Sequence, residues 1–408
     1  MKKLLTKYNQ LSFATRVLLW MLLGTMLGLW LGERILFIKP VGEIFLQLLI
    51  MAAIPLVFFN LIAGLSSVGN MKDFGRIGYK IMIYYLITTT VAIIIGISAM
   101  TLMNAGEGMA LKDQVPDNIG IMPNVGDLFQ QMFPTNIFKS FADGNLVQIV
   151  VFAVLLGVAG LTLSEQNRMK FKSGADFLAE LTRKLVELIL KASPLGLGAL
   201  MASTMAEYGH AILGPLALFI LAVYIGQFFM FLIYMLLLWI TRTAAPGWFL
   251  KKTSSVYTTT VATTSSLASL AVSLEVSEQI LRLPKHIFSF TLPLGAQFNK
   301  DGTAIMLSAV LIFTAQAVGI EFSLSEMVQI VIVGLIVSEG SGGIPGGGLV
   351  VAMLFAQAFN LPLEIVAILG GIYRLVDMGN TTINVMGDLV GTVIIAKKDA
   401  GWEPPKED

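Results

Sequence analysis

The chain has 408 residues, of which 56% are hydrophobic and only 13% charged, about half the charge that a soluble protein of this size carries. A net charge of +1 gives no footprint for nucleic acid, and the absence of cysteine excludes disulfides, thiol catalysis and thiolate metal sites. Seven or more apolar runs approach the roughly 20 residues needed to cross a bilayer, so the lipid bilayer is the expected surroundings of a polytopic membrane protein.

The basic start MKKLLTKYNQ is followed by an apolar run with no small-residue cleavage site, which reads as a cytoplasmic N-terminus rather than a removed signal. Spans are expected over 12–32, 40–68, 77–104, 146–164, 177–206 and 212–241. Basic residues recur at every second connection: Lys2, Lys3, Lys7 and Arg16, then Lys72, Arg76 and Lys80, then Arg168, Lys170 and Lys172, then Arg242, Lys251 and Lys252. Positive connections stay inside, so these are cytoplasmic and the acidic loop 105–145 is outside.

The pattern then breaks. Residues 253–275 are rich in Ser, Thr and Ala, with Lys251 and Lys252 before them and Arg282 and Lys285 after. Basic residues at both ends predict a segment that enters from the cytoplasm and returns, its hydroxyls satisfying backbone groups at the tip. The alternative is an ordinary span, which would reverse everything downstream. Residues 284–316 form a span broken at Asn299-Lys300-Asp301-Gly302-Thr303. Residues 325–358 repeat the hairpin theme around a tip, 338–348, with six glycines and Pro345, which cannot continue a helix at low cost. The last span is 362–397, ending cytoplasmic at Lys397 and Lys398. Hairpin plus broken span, then hairpin plus last span, read as an inverted repeat, and such repeats bind ligands where their discontinuous segments meet.

The last span carries a polar stripe. Arg374, Asp377, Thr381, Asn384 and Asp388 step by three and four residues, which puts all five on one helical face. Ionisable groups at membrane depth are tolerated when they face protein or a water-filled path, and there they mark transport.

These motifs resemble the dicarboxylate/amino acid:cation symporter family, the glutamate transporter homologues. The resemblance rests on Thr264-Ser265-Ser266-Leu267-Ala268-Ser269, the 299–303 break, Gly343-Ile344-Pro345-Gly346 and Asn384-Val385-Met386-Gly387-Asp388, four signatures in order. It implies an all-α polytopic membrane protein with eight transmembrane helices and two re-entrant helical hairpins, working as an elevator in a homotrimer in the cytoplasmic membrane, both termini inside. Scaffold spans would lie in 1–76 and 105–206, and the mobile transport part in 77–104 and 207–400. The resemblance assigns Asp377 to a substrate ammonium, Asn384 to the substrate backbone, and Ser265, Ser266, Thr303, Asn380, Thr381 and the tip residues 343–346 to its surroundings. It assigns sodium, the only expected cofactor-like ion, to Asp388, Asn384 and Asn299 at one site, and to Tyr85, Thr88, Thr89, Asn299 and Asp301 at another. By itself, Tyr85-x-x-Thr88-Thr89 reads more readily as helix packing.

Three departures qualify what is implied. Asn380 stands where the family's acidic amino acid transporters keep an arginine, and an amide cannot grip a carboxylate as a charged fork does. The expected substrate is therefore a neutral amino acid, with Arg374 as the rival feature that favours an acidic one. Lys300 replaces a methionine beside a sodium site, with Glu339 a candidate partner. Asp301, Glu339, Asp377 and Asp388 against Lys300 and Arg374 leave two negative charges, which predicts reduced cation coupling. Leu267 replaces a hairpin serine, and Thr264 stands where archaeal relatives have arginine. A channel is the first rival class. An intramembrane hydrolase is the second, disfavoured because neither His210 nor His286 lies near the motifs. No phosphate-binding Gly-x-x-x-x-Gly-Lys-Ser/Thr loop suggests ATP drive.

Overall fold

A computed structural model describes residues 13–66, 71–109, 133–338 and 346–405. Helices account for nearly all of them, and no strand occurs among the described residues. In chain order they are α1 (Phe13–Leu31), α2 (Lys39–Ser66), α3 (Met71–Met103), α4 (Ile137–Asp143), α5 (Leu146–Leu161), α6 (Glu165–Leu190), α7 (Ser193–Tyr208) and α8 (Leu213–Ile240). Then come α9 (Pro246–Thr263), α10 (Ser266–Glu275), α11 (Lys285–Phe298), α12 (Asp301–Ala317), α13 (Leu324–Ser338), α14 (Gly347–Ala358) and α15 (Leu363–Ala400).

The apolar runs predict most of these bounds to within a few residues, with one correction. The expected span 177–206 is two helices. The amphipathic α6 begins at Glu165 and takes in Arg168, Lys170 and Lys172, and a turn at Lys191–Ala192 leads into α7, where Pro194 occupies the first turn. A proline suits a helix start, where its missing N–H is not needed, and disrupts a helix interior.

Two groups of helices pack among themselves. In the first, α1 lies along α7, and α2 packs on α5, α6 and α7. Close approach of α1 to α7 depends on small residues, since a Cβ on Gly24 would sit 2.1 Å from the Gly198 carbonyl oxygen. In the second, α3, α8, α12 and α15 pack on one another, and α9, α11 and α14 flank α15. The outer faces expose Leu22, Met26, Phe228, Leu232 and Leu236, which lipid tolerates and water does not. At 38 residues α15 is about 57 Å long, so it overshoots a hydrocarbon core of about 30 Å.

The hairpin reading of 253–275 holds. Helices α9 and α10 turn about Thr264 and pack against each other. The Trp402 indole N–H donates to the Leu281 carbonyl at 2.9 Å while its ring lies against Trp248 near the start of α9, so both feet of the hairpin stand at one end. Lys397 donates to the Arg242 carbonyl, and Asp399 pairs with Arg76 (2.9 Å) and Lys80, gathering four predicted cytoplasmic cations at that same end. Helices α13 and α14 form the second hairpin. Its tip residues Glu339, Gly343, Ile344 and Pro345 lie outside the described residues.

Candidate functional site

The polar stripe lies on α15 as its spacing predicts, with Asp377, Asn380, Thr381, Asn384 and Asp388 all buried and Arg374 half-buried. Opposite it stand the hairpin 1 tip and the break between α11 and α12. At the tip, Thr264 adopts φ +48, a left-handed conformation costly for a β-branched residue, and its hydroxyl accepts a hydrogen bond from the Arg374 guanidinium. Ser265 caps α10, its Oγ accepting from the Ala268 amide at 3.2 Å, and Ser266 is buried beside it. Arg374 Nε is buried and has no partner among the described residues.

Asp377 accepts from the Tyr373 hydroxyl at 2.8 Å, and the Gly346 amide, at the foot of the second tip, approaches its other oxygen at 3.5 Å. This ties α15 to both hairpins, through Thr264 on one side and Gly346 on the other. Tyr373 and Gln227 carry no motif and escape a reading by sequence signature. Gln227 donates to Asn380 Oδ1 at 2.8 Å, leaving the Asn380 Nδ2 amide buried without a partner among the described residues.

Asn384 differs from expectation. Its Oδ1 accepts from the Gly302 amide at 2.7 Å and the Thr303 amide at 3.3 Å, and its Nδ2 donates to Thr303 Oγ1 at 3.1 Å. The side chain thus caps the first turn of α12, whose amides have no intrahelical acceptor. In this arrangement Asn384 Oδ1 and one Nδ2 hydrogen are committed to the start of α12.

The residues matched to sodium converge. Asn299 Nδ2 donates to Asp388 at 2.9 Å and to the Asn384 carbonyl at 3.0 Å. Asn299 Oδ1 is buried with no partner among the described residues. Asp301 accepts from Thr89 at 2.7 Å and from the Tyr234 hydroxyl, a partner on the apolar α8 that no motif signals. Thr88 donates to the Tyr85 carbonyl at 3.2 Å, and Tyr85 to the Thr291 carbonyl at 3.1 Å. Hydroxyls, carbonyls, carboxylates and an orphan amide oxygen form an oxygen-rich donor set, the set a hard cation takes. Lys300, wholly buried, places Nζ 2.6 Å from the Ala296 carbonyl oxygen.

The profile of the sodium:dicarboxylate symporter family matches residues 13–398. The chain is 30% identical to the proton/glutamate-aspartate symporter of Escherichia coli, over 97% of this chain and 94% of that protein. It is 28% identical to the proton/sodium-glutamate symport protein of Bacillus subtilis, over 98% of this chain and 96% of that protein. It is also 28% identical to the C4-dicarboxylate transport protein of the same organism, over 97% of this chain and 95% of that protein.

Proposed function

The chain belongs to the sodium:dicarboxylate symporter family, a family of membrane symporters, and on that premise we propose that it is a secondary active transporter, not an enzyme, for an acidic amino acid or a closely related dicarboxylate. The names of its relatives favour this anionic class over the neutral substrate expected from Asn380. The observation that carries the amino-acid half is Asp377: a buried carboxylate held by the Tyr373 hydroxyl and the Gly346 amide at the start of α14. A substrate ammonium is the natural complement to such a group. The Arg374 guanidinium at the first tip supplies a cation for a substrate carboxylate.

The coupling ion is a proton or sodium. Asn299, Asp301, Asp388, Thr88, Thr89 and Tyr85 provide oxygen donors for sodium, and a fixed ammonium at Lys300 reduces how many cations are needed. The helices of 77–104 and 207–400 carry the site and would move as an elevator against those of 1–76 and 105–206, in a homotrimer with both termini cytoplasmic. The separate packing of α1, α2, α6 and α7 supports that division.

A second reading is favoured by one observation, the unpartnered Asn380 Nδ2 where acidic amino acid transporters of the family keep an arginine. An amide donor suits a neutral side chain bearing a hydroxyl or amide. Uptake into proteoliposomes of aspartate, glutamate, succinate, serine, asparagine and alanine separates the two. Aspartate or glutamate well above serine and asparagine supports the first reading; the reverse order replaces it with the second. Failure of all six to show saturable uptake or counterflow would overturn both.

A further inference from the structure

Helix α11 ends at Phe298, and the chain leaves it in an extended conformation at Asn299. The Ala296 carbonyl therefore belongs to a helix C-terminus, where acceptors outnumber donors and the dipole is negative. Half-helix C-termini and unwound carbonyls are where broken-helix transporters place a coupling cation. Here the place is taken. The Lys300 side chain folds back along the last turn, fully buried, and its Nζ meets the Ala296 carbonyl at 2.6 Å. It also lies within electrostatic reach of Asp388 and Asp301, the two carboxylates of the break. A mobile cation and a fixed ammonium at one helix end would repel, and burial leaves little water to screen them.

We propose that the Lys300 ammonium is a built-in substitute for one coupling cation at the C-terminus of α11, so that this end of the site never binds sodium. The proposal rests on the symporter reading above and specifies its ion count. It removes one cation, not all: the orphan Asn299 Oδ1, with Thr88, Thr89 and Asp301, remains for another on the α3 side. Substrate and fixed charge then travel together, and the fixed charge returns with the empty carrier.

The test uses the full-length protein purified in detergent and warmed in NaCl, KCl or choline chloride at matched ionic strength, without substrate. Lys300→Met is expected to gain a sodium-specific rise in melting temperature beyond any that the wild type has. Its sodium dependence should steepen by about one ion, and sodium at about ten times its dissociation constant should stabilise it about tenfold over choline. Lys300→Arg, which keeps the charge, should respond as the wild type does. An identical sodium response in Lys300→Met and wild type overturns the proposal. If Lys300→Met folds in no salt, the ratio of radioactive sodium to substrate taken up by wild-type proteoliposomes decides, measured beside the Bacillus subtilis proton/sodium-glutamate symport protein. A lower ratio supports the substitution and an equal ratio refutes it. Because the melting assay contains no substrate, a wrong substrate class fails in the uptake panel while leaving the sodium response interpretable.

Discussion

Replacing Asn384 by alanine separates a structural role from a substrate-binding one. The side-chain oxygen accepts from two first-turn amides of α12, Gly302 at 2.7 Å and Thr303 at 3.3 Å, and Asn384 and Thr303 are only 3% and 4% exposed. Water cannot take over an acceptor at that depth. Each buried donor left without a partner costs about 1–3 kcal/mol, and the longer bond counts at the low end, so the loss is about 3 kcal/mol. Domains are stabilised by only about 5–15 kcal/mol in all, so such a loss is large. The assay is thermal unfolding of the detergent-purified protein with no substrate present, compared with Asn384→Asp. Aspartate keeps an oxygen for both amides and places a negative charge at a helix N-terminus, which is favourable; it gives up only the bond to Thr303 Oγ1. Alanine should therefore melt well below wild type and aspartate close to it. If Asn384→Ala melts like wild type and only substrate affinity falls, the capping role is wrong and the side chain turns to the substrate instead.

Asp377→Asn should abolish saturable uptake of amino acids by at least about a hundredfold while leaving the melting temperature within a few degrees, since the amide still accepts from Tyr373; radiolabelled uptake and unfolding measured together check both halves. Gly302→Ala should cost about 1–3 kcal/mol, because its Cβ would sit 2.3 Å from the Asn380 carbonyl oxygen and neither backbone can yield; the melting temperature reads it. Tyr234→Phe removes one of the hydroxyls on Asp301 and should lose about 1 kcal/mol, and a change confined to the sodium response would refute a purely structural bond. Asp399→Ala should cost under about 1 kcal/mol per broken pair, since Arg76 and Lys80 reach water, and a drop larger than about 3 kcal/mol would mean the C-terminal anchor holds more than these ion pairs.

The elements that the sequence discloses are those with a physical signature in the chain itself. The α15 stripe is legible because polar residues at three- and four-residue steps can share a face only in a helix. The hairpin 1 tip is legible from cations at both feet and hydroxyls between. The break at 299–302 is not a run of helix breakers; it shows because polar residues interrupt an apolar span. What sequence misses is pairing that follows from tertiary approach. Gln227 and Tyr234 sit seven residues apart on α8 and read as isolated polar residues in a lipid-compatible helix, yet one holds Asn380 and the other Asp301. Asn384 is legible as part of the stripe, but its capping of α12 is not, since a cap drawn from 82 residues away leaves no local pattern. The turn at Lys191–Ala192 was hidden by an apolar run that continues across it, and only Pro194 marks it.

The distribution of charge makes the departures from the family pattern a single physical change. Among the described residues the site holds three carboxylates, Asp301, Asp377 and Asp388, against two cations, Lys300 and Arg374. With Glu339, which lies outside the described residues, two negative charges are left over, enough for one cation and a substrate ammonium. Both cations are anchored by hydrogen bonds where the chain turns or breaks: Arg374 to the hairpin 1 tip through Thr264, and Lys300 to the end of α11 through the Ala296 carbonyl. A transporter that relies on soluble ions at these places must bind them anew in each cycle, and its substrate affinity then drops as external sodium is lowered. A fixed cation would reduce that dependence at the cost of the driving force that ion would supply. A transporter built this way gains less concentrating power and keeps its site assembled when sodium is scarce. The comparison that bears on this is steady-state accumulation: wild-type proteoliposomes should accumulate substrate less steeply in an imposed sodium gradient than those of the Bacillus subtilis relative. Accumulation as steep as the relative's would show that Lys300 carries no such role.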